Sequence, residues 1–381
     1  DMAQRAEQIV VTGGRPLQGT VRIPAAKNSV LPLIAASLLC TKPVRLRGVP
    51  RLSDVEACLA LVRSTGEKAG WQGSDVCVSG TPFCSTLPGQ TAEQMRASIL
   101  FCAPLLARLG RAETSLPGGC KIGARPVDLH LAGLAKMGAQ EHPAGPGRLL
   151  LTAPSGLHGA EITLSFPSVG ATETLLLAAA CAKGQTVLRG AAREPEIGDL
   201  AAFLNRCGGC VEGAGTSTIR IEGRRTLGGC VFSPLPDRIF ASTLACACAA
   251  AGGRVELAGC PASLYAPVLE ILAQMGCAVD TDGDTVRLAR FGRLYGAGRV
   301  FTGVYPGLAT DAAPLLAAAM LCAGGESSIE EVIFERRFAC AEGFLRLGGR
   351  VFVAGRVLHI APGGGLQGAV LEAPDLRGGA A

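Results

Sequence analysis

The chain of 381 residues is poor in aromatics (4%) and in charge (18%), carries only four histidines, and has no long uncharged apolar run. Each shortage removes a class of protein. A nucleic-acid surface needs a basic face, often with stacking rings, and neither is concentrated here despite a net charge of +5. That mild positive excess suits small anionic substrates better. The longest uncharged apolar stretch, 239–253, is Ala- and Cys-rich and too short to span a bilayer. No basic segment followed by an apolar run opens the chain, so no signal peptide and no membrane anchoring are expected, and a cytoplasmic location follows. The 52 glycines show no period of three and no heptads are sustained, which excludes collagen-like and coiled-coil chains.

What is present is a high apolar fraction (48%) and a mean hydropathy of +0.34. At this length such a composition predicts a folded chain of two domains, not a disordered one. Sixteen cysteines would suggest a disulfide scaffold in a short secreted chain. Here most lie in apolar helical runs such as Leu244-Ala245-Cys246-Ala247-Cys248, where a thiol acts as a small hydrophobe. Cys207-Gly208-Gly209-Cys210 looks like a redox or zinc pair, but it occupies a helix-ending position and no second Cys/His pair is spaced to complete a site. It is read as structural. No metal cluster and no dinucleotide fingerprint are evident, so no cofactor is expected.

Self-similarity organises the chain. A helical pattern ending in Gly and followed by a short strand recurs with its glycines at Gly66, Gly138, Gly208, Gly276 and Gly348, spaced by 72, 70, 68 and 72 residues. Gly suits a helix terminator because the left-handed conformation costs it no Cβ clash. A polar residue opening an Ala/Leu-rich helix recurs as Asn28, Arg96, Thr172, Arg238, Asp311 and Arg377. Each unit reads β-α-β-α-β-β in about 70 residues, which predicts an α/β architecture. Six such units need roughly 420 residues, so the sixth is expected to be incomplete.

Six segments carry chemistry-bearing residues. Ala26-Lys27-Asn28 opens a helix after a strand, and lysine is scarce (six, against 30 arginines). The turn is either an anion site, built from an ammonium and a helix amino terminus, or a solvated turn lysine. The run Leu116 to His130 sets three glycines and two prolines around Cys120, with Lys121 and Arg125 beside the thiol. Such a loop suits a lid that closes over substrate and a reactive thiol, and less well another core cysteine. Phe166-Pro167-Ser168-Val169-Gly170-Ala171-Thr172 precedes an apolar helix and fits a diphosphate cradle or an ordinary N-cap. Ala192-Arg193-Glu194-Pro195-Glu196 is either a loop ion pair or part of a polar site. Tyr305 to Asp311 places a carboxylate at a helix start, as cap or as general base. Asp375-Leu376-Arg377 offers a cation able to clamp phosphate or carboxylate.

Taken in this order, these segments resemble the enolpyruvyl transferase family, and within it the UDP-N-acetylglucosamine 1-carboxyvinyltransferases. The likeness covers essentially the whole chain. Its most specific piece is the run 116–130, supported by Ala26-Lys27-Asn28, Met95-Arg96-Ala97-Ser98, 168–172 and 192–196. The resemblance implies two similar domains, each an inside-out α/β barrel of three repeats. The domains would be 28–235, and 1–27 with 236–381. It implies transfer of the enolpyruvyl group of phosphoenolpyruvate to the 3-hydroxyl of UDP-N-acetylglucosamine with release of phosphate. These two small molecules are the expected partners; the oligomeric state is not readable.

Catalytic roles follow from the same resemblance. Cys120 is implied as acid and as a thiol able to add to phosphoenolpyruvate, and Asp311 as the group that positions or deprotonates the sugar hydroxyl. Lys27, Arg125 and Arg377 would hold phosphoenolpyruvate, with Asn28 and Arg96 toward both substrates. Arg125, Pro126, Val127, Asp128 and Leu129 would meet the uridine. Phe166, Pro167, Ser168 and Val169 would sit at the diphosphate, and Ile333 near the nucleotide. Three positions depart from the family pattern: Phe166 stands where many members carry Lys, Pro314 where glutamine is common, and Arg336 where asparagine is common. Phe166 and Pro314 motivate a second reading, a UDP-sugar-binding relative without turnover, while a related transferase acting on shikimate 3-phosphate shares fold and chemistry but has the Cys120 loop against it.

Overall fold

The computed structural model describes residues 8–116, 127–373 and 375–381. Cys120, Lys121, Arg125 and Pro126 lie outside the described residues. The fold is mixed α/β, with five sheets among the described residues.

All five sheets share one connectivity. Gly253–Ala258 leads through the helix Ala266–Gln274 into Ala278–Asp282, and the chain returns along Thr285–Arg290 between the two. Leu17–Arg22 then adds on the open side, parallel to Gly253–Ala258. Val44–Leu46, with the hairpin Lys68–Gln72 and Asp75–Ser79, likewise gains Val231–Phe232 in parallel. Gln185–Arg189 gains Glu161–Thr163, and Ser327–Glu330 gains Gly298–Phe301. The sheet on Arg111–Ser115 has three strands, with a single parallel bridge between Thr86 and Glu113 where the fourth would be. Burial follows the pleat: Val255 and Leu257 face Val286 and Leu288 in the core, while Arg254 and Arg287 point outward.

The five helix-ending glycines all have positive φ, from +87° at Gly348 to +104° at Gly276. In four of them the next amide reaches back to the helix: Ala139 to Leu134, Gly209 to Leu204, Cys277 to Leu272 and Gly349 to Phe344, at 2.8–3.0 Å. This satisfies carbonyls that the helix end leaves open. Nothing lies within 4 Å of a Cβ built on Gly208, whereas one on Gly138 would sit 2.4 Å from the His158 ring. Gly208→Ala should therefore cost only the conformational penalty of about 1–2 kcal/mol. Gly138→Ala should cost more, and denaturant melts of the two variants test the order.

Three helices are enclosed rather than amphipathic. Lys27–Ser37 is buried from Ser29 to Ser37, Val169–Ala180 from Ala171 to Ala180, and Ala313–Leu321 along most of its length. A helix that is apolar all round must be surrounded. The buried apolar residues fall into two clusters, one drawn from 30–227 and one joining Ile23 to 239–360. The chain crosses between them twice in adjacent segments, tied by Ala26 N to Leu235 O at 2.7 Å and Asp237 N to Pro24 O at 2.8 Å. Among the described residues no helix is long and apolar enough to cross a membrane, and the fifteen described cysteines are free thiols.

Candidate active site

The crossing segments bring helix starts together. Asp237 caps Arg238–Ala251 by accepting from the amides of Ile239 and Phe240, both at 2.9 Å. Its other oxygen faces the Lys27 amide at 3.4 Å, so the starts of two helices, one of them enclosed, meet at one carboxylate. Arg238, the first residue of its helix, reaches Glu196 in the first turn of Pro195–Arg206. Nε and Nη2 donate to the two carboxylate oxygens at 3.0 and 3.4 Å, with side chains 12% and 6% exposed. Burial works against the Arg238 charge, but Glu196, Glu194 and Asp311 outweigh it and hold the guanidinium above its ordinary range. Burial pushes Glu173 well above the usual carboxylate range, reinforced by the charges of Glu196 and Glu194, and burial also raises Glu194. One committed ion pair thus sits among carboxyls that favour the neutral form.

Asp311 lies on the 3-10 turn Thr310–Ala312 that leads into Ala313–Leu321. Arg337 Nη2 donates to its Oδ1 at 2.6 Å and Arg377 Nε to its Oδ2 at 3.1 Å. The Arg337 side chain is 1% exposed, and its Nε donates to Thr310 O at 2.9 Å, so the arginine fixes both the turn and its carboxylate. Thr310 in turn donates to Glu331, whose other oxygen accepts from the amides of Ile333 and Phe334. The Ile333 backbone is therefore placed by the network that holds Asp311. Arg377 is presented by the short helix Leu376–Ala380, which Asp375 caps.

A second group gathers where two further helices begin. Ser168 caps Val169–Ala180, and Thr172 accepts from Ala192 N at 3.0 Å, which ties 168–172 to 192–196. His130, in Asp128–Lys136, bonds Thr174 Oγ1 through Nδ1 at 2.8 Å. Burial pushes His130 down to about 4, Arg96 acts in the same direction and Asp128 opposes, so the imidazole is neutral near pH 7. A Cβ on Gly170 would sit 3.1 Å from this ring. Arg96, Asp128 and the start of Val169–Ala180 thus surround His130, with Val127 and Leu129 half-buried alongside Asp128. Phe166 is 44% exposed, Pro167 and Val169 are half-buried, and Asn28 is exposed.

Two segments left open in the sequence have definite partners. Glu196 of 192–196 pairs with Arg238, 42 residues away. The Lys27 ammonium is held by Asp54 at 2.9 Å. Arg238 was legible only as a helix opener, and Arg337 and Glu173 carried no signal, because the Arg238 and Arg337 bonds span 42 and 26 residues and Glu173 responds to carboxyls of another segment.

A family model described as EPSP synthase (3-phosphoshikimate 1-carboxyvinyltransferase) matches residues 11–381. A UDP-N-acetylglucosamine 1-carboxyvinyltransferase of Finegoldia magna is 44% identical over 98% of this chain and 89% of its own. Another from Solidesulfovibrio magneticus is 42% identical over the same shares. Among solved structures, the enolpyruvyl transferase NikO from Streptomyces tendae superposes with a TM-score of 0.84 at 25% identity, covering 97% of this chain and 88% of that one. With nearly every described element inside the matched span, the chain belongs to the EPSP synthase family of carboxyvinyltransferases.

Proposed function

We propose that this protein transfers the enolpyruvyl group of phosphoenolpyruvate to the 3-hydroxyl of UDP-N-acetylglucosamine, the first committed step of peptidoglycan precursor synthesis. The observation that carries the reading is Asp311 gripped by Arg337 and Arg377 at the start of an enclosed helix. The names of the relatives at 42–44% identity support the choice of acceptor.

The chemistry assigns the roles. Protonation of the phosphoenolpyruvate methylene carbon leaves an oxocarbenium-like centre, the sugar oxygen attacks it, and the tetrahedral ketal expels phosphate. Cys120 is the proposed acid. Asp311, each of whose oxygens is bonded to a guanidinium, is the proposed partner of the sugar hydroxyl. Arg377, with Lys27 and Arg125, would offset the phosphate and carboxylate charge, and Asn28 and Arg96 would orient the two substrates. Phe166 to Val169 lead into the start of Val169–Ala180, whose positive helix end suits the diphosphate. Arg125 to Leu129 are assigned to the uridine, and Ile333 to the nucleotide.

We further propose that 28–235 forms one inside-out α/β barrel domain, and 1–27 with 236–381 the other. The two apolar clusters and the enclosed helices support that division. A cytoplasmic enzyme acting on small molecules, with no nucleic-acid or membrane partner, fits the composition.

The test is phosphate release. It should require both phosphoenolpyruvate and UDP-N-acetylglucosamine, and Cys120→Ser should nearly abolish it while Cys120→Asp retains part, because a carboxylic acid can also donate a proton. Release with shikimate 3-phosphate in place of the nucleotide sugar would move the assignment to the other branch of the family. The half-exposed Phe166 ring favours the second reading, a binding protein without turnover. Calorimetric binding of UDP-N-acetylglucosamine with no product would establish it.

A further inference from the structure

Three cysteines that are far apart in sequence meet in the fold. Cys207 Sγ lies 3.4 Å from Cys230 Sγ and 3.7 Å from Cys40 Sγ, across separations of 23 and 167 residues. The backbone enforces the meeting. Cys207 is the residue after Pro195–Arg206, and its carbonyl accepts from Gly228 N at 2.7 Å. Leu227 bridges to Cys40, and Thr41 N donates to Leu227 O at 2.9 Å. Cys210, the nearer partner in sequence, has no sulfur contact with Cys207. Among the described residues no group of three His, Cys, Asp or Glu side chains is placed to hold a metal ion, so the cluster does not read as a metal site.

We propose that Cys207 and Cys230 are an oxidisable dithiol that closes to a disulfide under peroxide. Cys230 is the half-buried member while Cys207 and Cys40 are buried, so the oxidant reaches Cys230 first. The Cys230 thiolate attacks one peroxide oxygen, the O–O bond breaks, and a sulfenic acid and water result. Cys207 gives up its proton and attacks the Cys230 sulfur, forming the S–S bond and expelling a second water. Two thiols lose two electrons and two protons, and one hydrogen peroxide becomes two waters.

The pair is slow rather than a rapid sensor. For Cys207 the hydrogen bond with Cys230 lowers the thiol, but Cys40 and burial raise it further, to about 12. Cys230 is raised by its bond to Cys207 and by burial, with the Arg206 charge acting in the opposite direction. Low thiolate fractions set the rate, and proximity sets the product. The bond would fasten the end of Pro195–Arg206 to the segment that runs through Leu235 to Asp237, constraining the unfolded chain more than the folded one.

The experiment oxidises the native full-length protein with hydrogen peroxide, alkylates the remaining thiols and digests without reductant. A cross-linked peptide joining Cys207 to Cys230 is expected, absent in Cys230→Ala and retained in Cys40→Ala. The oxidised wild type should unfold several degrees above the reduced form. Recovery of both residues as alkylated thiols while other cysteines are oxidised overturns the proposal. So does a Cys207–Cys40 or Cys207–Cys210 link in the wild type, or a Cys207–Cys230 link that forms only after unfolding. Because the readout is the peptide map, the result is independent of which substrates the enzyme takes.

Discussion

Asp311→Asn should lower kcat for phosphate release by about 10²- to 10⁴-fold, the range typical of a lost positioned base. The amide retains one oxygen for a guanidinium but presents an NH2 group, a donor facing a donor, to the other. Of the two arginines, Arg337 cannot compensate by turning to water, since its side chain is 1% exposed. Its Nε bond to Thr310 O remains, so the turn should persist and the stability loss should stay near 1–3 kcal/mol. Steady-state kinetics below the melting range, with a urea melt of the same preparation, separate the two effects. A folded variant retaining its parent's kcat to within about threefold would remove Asp311 from the chemistry.

The largest loss of stability should come from Arg238→Met. The substitution keeps an apolar stem but leaves Glu196 without its partner, in a place where only 6% of that side chain meets solvent. Removing one member of a buried pair costs about 3–5 kcal/mol, because the remaining charge is neither hydrated nor matched. Glu173 and Glu194 close by cannot replace the lost cation, since both are carboxyls that burial holds toward the neutral form. The double variant Arg238→Met with Glu196→Gln should recover most of the loss, and the cycle of four melts measures the coupling. A single-variant loss under about 1 kcal/mol would show that the pair is surface-like in its energetics.

Much of the architecture was legible because it depends on short-range rules. The 72-70-68-72 spacing of glycines marked helix ends, and all five take the left-handed conformation anticipated for them. Asp311 was visible as a helix opener, whereas Thr172, expected in the same role, lies inside Val169–Ala180 and Ser168 is the cap. What the sequence hid was pairing at long range. Nothing in Phe-Glu-Arg-Arg-Phe, 334–338, distinguishes Arg337 from its exposed neighbour Arg336, because only the fold buries one of them. Cys207 was read against Cys210 in its own turn, while its real neighbours come from the ends of two other segments. The family likeness pointed to Asp311 and Arg377, and the geometry adds that they touch.

The strand Leu17–Arg22 completes a sheet whose receiving edge, Gly253–Ala258, is more than two hundred residues downstream. During synthesis on the ribosome that early strand must wait, unpaired, until most of the polypeptide has emerged. Its backbone donors and acceptors are meanwhile open to any other extended segment. Slow refolding from denaturant and a dependence on chaperones at high expression are the expected costs of a topology that joins its beginning to its later half.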